Sequence, residues 1–200
     1  MNFNIMQTIS YSPLTPARWQ DFEKLFGPNG GCGGCWCMFW HLTRSDFSRG
    51  VGQVNKDRLH QMVIQGKRPG ILVYVNGIAK AWCAVAPRED FSALARSRRF
   101  KPVDEKSVWS IVCFFIPKEN RGNGLLSIII KTAIQYAGEN NAGILEAYPV
   151  EIRGKQTPGI VYMGVASTFH KLGFKEAARR SPNHPILRFQ INPGEKYYIS

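Results

Sequence analysis

Apolar positions change period several times along the chain. In "TPARWQDFEKLFG", Trp19, Phe22, Leu25 and Phe26 stand three, three and one residue apart, which is one face of a helix. Thr15 is placed to cap that helix and Pro16 to open it. The preceding "NIMQTISYSPLTP" reads as a strand ending in a proline turn. "NKDRLHQMVIQGK" is a second helix, with Asn55 as cap and Gly66 as stop. The pattern then turns β-rich. "GILVYVNGIAKAWCAVAP" sets two such runs around Asn76-Gly77, the strongest short hairpin signal. "SVWSIVCFFI" is apolar at nearly every position, as expected for a strand covered on both faces. Leu125, Leu126, Ile129, Ile130, Ala133, Ile134 and Ala137 return to helical spacing. "GILEAYPVE" is a strand, "GVASTFHKLGF" a short helix closed by Gly173, and "KEAARR" with "ILRFQI" a final strand or strand pair. This order predicts a mixed α/β sheet with helices on both faces, in one domain spanning residues 1–200. Two stretches resist classification. One is the Gly-, Cys- and aromatic-rich "CGGCWCMFWHLTRSDFSRGVG"; the other is a basic, mobile-looking segment that ends near Lys106.

Composition narrows the class. A chain 44% hydrophobic and 20% charged is an ordinary globular protein and excludes disordered and collagenous readings. No apolar stretch reaches the roughly 20 residues needed to cross a bilayer. The N-terminus lacks a basic region followed by an apolar one, so a cytoplasmic protein is expected. A net charge of +12 points to an anionic partner, either nucleic acid or a phosphorylated cofactor. The densest basic run, "ARSRRFK" (Ala95–Lys101), carries no helix-turn-helix, zinc-finger or RNA-recognition signature, which argues against nucleic acid. It reads as a solvated face or a phosphate-facing patch.

The 5 cysteines are odd in number, which speaks against a disulfide framework. Cys83 and Cys113 lie in apolar runs and read as small buried hydrophobes. Cys32, Cys35, Cys37 and His41 offer four zinc ligands in principle. Yet Cys-x-Cys running into aromatics is not a finger spacing, and no second C-x-x-C closes the site, so no metal is expected. A reactive thiol and a packed loop walled by Trp36, Phe39 and Trp40 are the other readings.

The junction "NRGNGLLSIII" carries the sharpest chemistry. The first amides of a helix lack internal partners, and the helix dipole favours negative charge there. Glycines let a phosphate approach the backbone, and an arginine grips it in two places. A P-loop needs Gly-Lys-Ser/Thr after its last glycine, but Leu125 and Leu126 follow Gly124. A dinucleotide fingerprint needs a third glycine where Ser127 stands; Glu146 sits where its acidic partner belongs, but too little βαβ sequence remains. A plain strand-to-helix turn remains open.

The run Arg121, Gly122, Asn123, Gly124, Leu125, Leu126 resembles the acetyl-CoA-binding motif of the GNAT N-acetyltransferases, Arg/Gln-x-x-Gly-x-Gly/Ala. Leu126 departs from it, standing where Gly or Ala is usual. "ASTFHKLGF" resembles the family's fourth-helix signature through Ala166, Phe169, Gly173 and Phe174. The likeness covers roughly residues 70–191, and "CGGCWCMFW" resembles the segment of an uncharacterised branch of these enzymes. It implies a mostly antiparallel central sheet with a splayed strand pair. It also implies acetyl transfer from acetyl-CoA to a primary amine of a small molecule or peptide, and the family's habit of pairing as homodimers. A non-catalytic acyl-CoA sensor on the same fold is the alternative.

The resemblance also assigns residues. Arg121 to Ser127 would hold the pyrophosphate. The exposed main chain of Phe114, Phe115 and Ile116 would pair with the pantetheine arm, supply the oxyanion donor, and have Ser167 nearby. The family's tyrosine acid is replaced by His170, and a common Asn by Met163, so the usual acid does not carry over. His170 is then a candidate acid or base, set against an ordinary surface histidine. Glu146 is a candidate base through water, although a solvent-facing strand-end carboxylate is the plainer reading. Tyr162 and Tyr148 are fallback acids, each also readable as packing. Cys35, Trp36 and Trp40 would wall the acceptor.

Overall fold

The computed structural model describes residues 7–152, 162–192, 194, 195 and 197. The strands are β1 (Ile9–Pro13), β2 (Ile71–Val75), β3 (Ile78–Pro87), β4 (Trp109–Phe115), β5 (Ile144–Ala147), β6 (Lys175–Arg179) and β7 (Pro185–Gln190). They form a 7-stranded sheet in the order β1-β2-β3-β4-β5-β7-β6. The helices are α1 (Trp19–Phe26), α2 (Arg44–Arg49), α3 (Gln53–Ile64), α4 (Ser92–Arg96), α5 (Leu125–Glu139) and α6 (Ala166–Lys171). The predicted mixed α/β sheet is therefore present, and so is the hairpin. Asn76 and Gly77 take φ of 51° and 75°, the left-handed pair a two-residue turn of this hand needs.

Alternation along β3 divides the core. Trp82, Ala84 and Ala86 face α1, α3 and the Cys-rich loop; Ala81, Cys83 and Val85 face α5 and α6. Every strand neighbour is antiparallel except β4 and β5, whose parallel pairing runs only from Trp109↔Leu145 to Ile111↔Ala147. Past Ile111 the two strands part. β5 stops at Ala147 while β4 runs on to Phe115. On its other edge β4 carries a bulge: Ile111 pairs with Val85 and Cys113 with Ala84, leaving Val112 between them. Val112 and Cys113 consequently both join the core on the α1 side.

Local expectations needed correction. Residues 4–6, the start of the expected first strand, lie outside the described residues. Thr15 makes no side-chain cap, and Pro16 opens a short tight turn before α1. α3 begins at Gln53, so Asn55 lies inside the helix. Its side chain is buried and its amide donates to the Phe47 carbonyl at 3.2 Å. The unclassified stretch contains α2, capped by Thr43, whose hydroxyl accepts from the Asp46 N–H at 3.1 Å. The basic segment contains α4 and is tied down. Arg88 donates to the Phe100 carbonyl, and Arg180 to those of Lys101 and Pro102. Among the described residues no helix is long and apolar enough to cross a membrane.

Candidate active site

The glycine turn leaves its backbone open. Gly122 and Gly124 take φ of 85° and 72°, which L side chains rarely adopt. A Cβ added at either would meet nothing within 4 Å, so the space before them is free. Among the described residues nothing accepts from the amides of Gly122, Asn123, Gly124, Leu125 or Leu126, and α5 has no side-chain cap. Ser127 N–H turns back to the Gly124 carbonyl at 3.0 Å. Leu125 is buried, and Leu126 packs half-buried against the α5 side of the core. Arg121 is exposed, and its Nε donates to the Ile116 carbonyl at 2.8 Å. That bond braces the turn against the end of β4 and uses one edge of the guanidinium.

The parted strand is less open than expected. Phe114 is only 7% exposed, and its N–H donates to the Tyr162 carbonyl at 2.6 Å. Val150 in turn bridges Val165 in parallel, so residues 162–165 lie across the gap that β4 and β5 leave. The expectation of a free main chain from Phe114 to Ile116 is corrected at both ends: Tyr162 takes the Phe114 amide and Arg121 the Ile116 carbonyl. The backbone groups past Ala147 need partners once β5 ends, and the chain supplies them.

On the α1 side of β4 lies a cavity of about 250 Å³. Cys32, Cys35, Cys37 and Cys113 line it together with Phe39, Trp40, Phe114, Phe115 and Tyr162. The Gly-rich loop reaches this place by winding through left-handed conformations. A Cβ at Gly30 would strike the Trp36 indole, and one at Gly31 the Phe26 ring. Cys37 Sγ accepts from Trp82 Nε1 at 3.1 Å. The neighbouring Cys113 thiol, which donates to the Phe114 carbonyl at 3.7 Å, lowers the Cys37 thiol with help from Trp82 and is itself raised. Burial raises Cys35. Cys113 is therefore a lining residue and not only a buried hydrophobe. Among the described residues no group of three or more His, Cys, Asp or Glu is arranged to hold a metal ion.

Several predicted site residues lie elsewhere. Glu146 is fully buried, which corrects both the base and the solvent-facing readings. It accepts from Arg88 Nη1 at 3.0 Å, Arg188 Nε at 2.8 Å and Tyr148 OH at 2.6 Å. These three bonds join β5 to β7 and to the end of β3. Tyr148 is fully buried in the same network, held by Ser110 Oγ at 2.9 Å, and burial raises its hydroxyl well above the ordinary value. His170 is exposed on α6, its Nδ1 3.1 Å from the Phe174 carbonyl, and it lines neither this cavity nor the one described next. Trp36 is core: its ring stacks on Phe26 at 5.7 Å, with the Lys56 ammonium 5.2 Å away. Ser167 is exposed in the first turn of α6. Tyr162, Cys35 and Trp40 do line the cavity. Burial, then the Cys113 charge, pushes the Tyr162 phenol up to about 12, against a lowering by Arg99, so it keeps its proton at neutral pH.

A second cavity, of about 450 Å³, adjoins the first and shares Phe39, Trp40 and Tyr162 with it. Its wall includes Arg44, Arg96, Arg99, Ser97, Phe100, Met163 and His184. Among the described residues neither cavity has an Asp or Glu in its lining. His184 Nδ1 and Trp40 Nε1 are buried without a hydrogen-bond partner among the described residues. Burial, then the Arg99 charge, lowers the His184 imidazole, so it is neutral near pH 7. Sequence reasoning missed His184. The only signal available was its rarity, as one of 4 histidines.

No family model and no curated protein matches the sequence. Solved structures do match the fold. The GNAT-family acetyltransferase of Streptococcus agalactiae superposes with a TM-score of 0.54 at 11% identity, covering 92% of this chain and 95% of that one. The PaiA N-acetyltransferase of Thermoplasma acidophilum, solved with coenzyme A, gives 0.51 at 7% identity over 92% of this chain and 99% of that one. An N-acetyltransferase of Staphylococcus aureus gives 0.51 at 10%, with coverage of 92% and 99%. With the parted β4–β5 pair, the bulge in β4 and the glycine turn opening α5, this chain carries the fold of the GNAT N-acetyltransferases.

Proposed function

We propose that the protein is an N-acetyltransferase that moves an acetyl group from acetyl-CoA to a primary amine by direct attack. One observation carries the reading: among the described residues the amides from Gly122 to Leu126 are unpartnered, beside a parted sheet edge. Helix-start amides of this kind favour a phosphate, and Arg121 adds a fixed cation at the same turn. Acetyl-CoA supplies an activated thioester. The chain supplies the rest. Gly122 to Ser127 and Arg121 hold the pyrophosphate. The parted end of β4 lies beside that turn, on the path for the pantetheine arm. The cysteine cavity shields the reacting carbon from water with an almost wholly apolar wall. Tyr162 holds the proton needed by the departing sulfur. His184, neutral and with its Nδ1 unpartnered among the described residues, accepts one from the attacking ammonium through water from the adjoining cavity.

The sensor reading draws on the Phe114–Tyr162 bond and on His170 standing in place of tyrosine. Thermal melting with CoA, joined to a free-thiol assay on an amine panel, separates the two. Binding to the native state alone adds about 2.7 kcal/mol at a hundredfold excess over Kd. We expect such a shift in the wild type, a reduced one in Arg121→Ala, and CoA release with at least one amine. Binding without release on any amine favours the sensor. No shift in the wild type overturns both readings.

A further inference from the structure

The net charge of +12 exceeds what one pyrophosphate turn uses, and part of the excess is gathered in one place. Arg44, Arg96 and Arg99 line the second cavity, and among the described residues no carboxylate there answers them. Among the described residues neither Arg44 nor Arg99 has an ion pair, and the Arg99 guanidinium carbon lies 5.4 Å from the centre of the Phe100 ring. Three cations without a counter-charge around an apolar hollow form an incomplete site.

The frame beneath them is rigid. Arg96 Nη2 donates to the Leu42 carbonyl at 2.7 Å, which ties α4 to the aromatic loop. Ser92 Oγ makes a second tie, to the His41 carbonyl at 2.7 Å. The segment carrying Arg99 and Phe100 is fastened by Arg88, Arg180 and Arg188, the last reaching Asp104 at 2.7 Å. The arginines are thus presented from a built wall. Trp40 adds an independent sign: it is 6% exposed, lines both cavities, and its indole N–H has no acceptor among the described residues. A buried donor with no partner costs stability unless something accepts from it.

We infer that this second cavity receives the anionic end of the acceptor, a primary amine joined by a short apolar spacer to a carboxylate or phosphate. The inference rests on the acetyltransfer reading, which supplies the amine. Phe39, Trp40 and Tyr162 stand where the two cavities meet, so a molecule with its anion among the arginines extends its other end toward the thiol-lined cavity. The arginine fork suits either oxyanion, and the apolar wall of Leu42, Ala93 and Met163 suits a methylene spacer.

Calorimetric titration of the full chain with γ-aminobutyrate, phosphoethanolamine and butylamine tests this. Losing a charge-assisted contact costs roughly tenfold or more in affinity. We expect at least one anionic amine to bind at least about tenfold more tightly than butylamine, and the two anions to rank carboxylate against phosphate. The Arg44→Gln/Arg99→Gln double variant should lose that preference while keeping its melting temperature and CoA-induced shift. Single Arg99→Gln, an exposed site, serves if the pair does not fold. Equal binding of butylamine, a preference that survives the variant, or no binding by any of the three overturns the inference. Since CoA binding and thiol release are read separately, failure of the acetyltransfer reading shows as a missing CoA shift or as no release on any amine, and is not confused with failure here.

Discussion

The two halves of the candidate site are built from different materials. The turn from Pro117 to Ser127 is contiguous, exposed and made of main chain: two left-handed glycines, a run of unpartnered amides and one braced arginine. The acceptor side is made of side chains brought from far apart. Cys37 meets Trp82, Trp40 meets Phe100 at 5.9 Å between ring centroids, and Phe100 meets Tyr148 at 4.8 Å. A backbone cradle tolerates change in most side chains so long as its glycines keep their φ. A side-chain wall depends on whatever holds each piece in register. Damage to the frame should therefore strike the acceptor side first.

The largest effect should come from Glu146→Ala. This carboxylate sits fully buried between Arg88 and Arg188, and those arginines hold Phe100 and Asp104 in turn. Removing one partner of a buried pair leaves the other charges uncompensated, a loss of about 3–5 kcal/mol. Urea denaturation reads it. The CoA-induced shift of the surviving folded protein should stay close to wild type, because the glycine turn has no part in the network. A stability near wild type combined with a collapsed kcat would restore Glu146 as a base and break the contrast.

Tyr162→Phe comes next. It keeps the main-chain carbonyl that Phe114 uses and deletes only the phenol. As the proton donor to sulfur, Tyr162 should be worth about a hundredfold in kcat, within the usual range for acid–base groups. CoA affinity should not move. If kcat is unchanged, the phenol is packing and the leaving thiolate departs unaided.

This contrast also sets what could be read from sequence. The hairpin, the buried strand, the α5 stripe and the glycine turn are local patterns, and each is where the periodicity places it. The acceptor wall is not local. Nothing in "CGGCWCMFW" states that Cys37 reaches β3 or that Trp36 turns into the core while Trp40 lines a cavity; tertiary packing decides that. Glu146 misled because a charge near a strand end reads as solvated, whereas two arginines from the end of β3 and from β7 made it buriable. His170 misled because a motif position fixes a place on α6, not a direction toward the chemistry. The basic run "ARSRRFK" looked mobile because its anchors, Arg88, Arg180 and Arg188, lie outside it in sequence.

The smallest of the three effects, and the sharpest test of the side-chain half, is the pH profile of His184→Gln. Burial, then Arg99, lowers this imidazole from its ordinary 6.5, so it is neutral above that value and gains a proton only below it. The acceptor behaves differently, since an alkylammonium titrates near about 10.4. With neutral His184 taking the proton from the bound ammonium, the wild-type kcat/KM should stay level across neutral pH. Below the lowered imidazole value the base is protonated, and kcat/KM should fall about tenfold per unit. His184→Gln leaves only the free amine to react, so its kcat/KM should rise about tenfold per unit across neutral pH, with a rate about tenfold lower there and CoA binding unaltered. A level neutral profile that persists in the variant assigns the proton to another group and leaves His184 as part of the anion pocket alone.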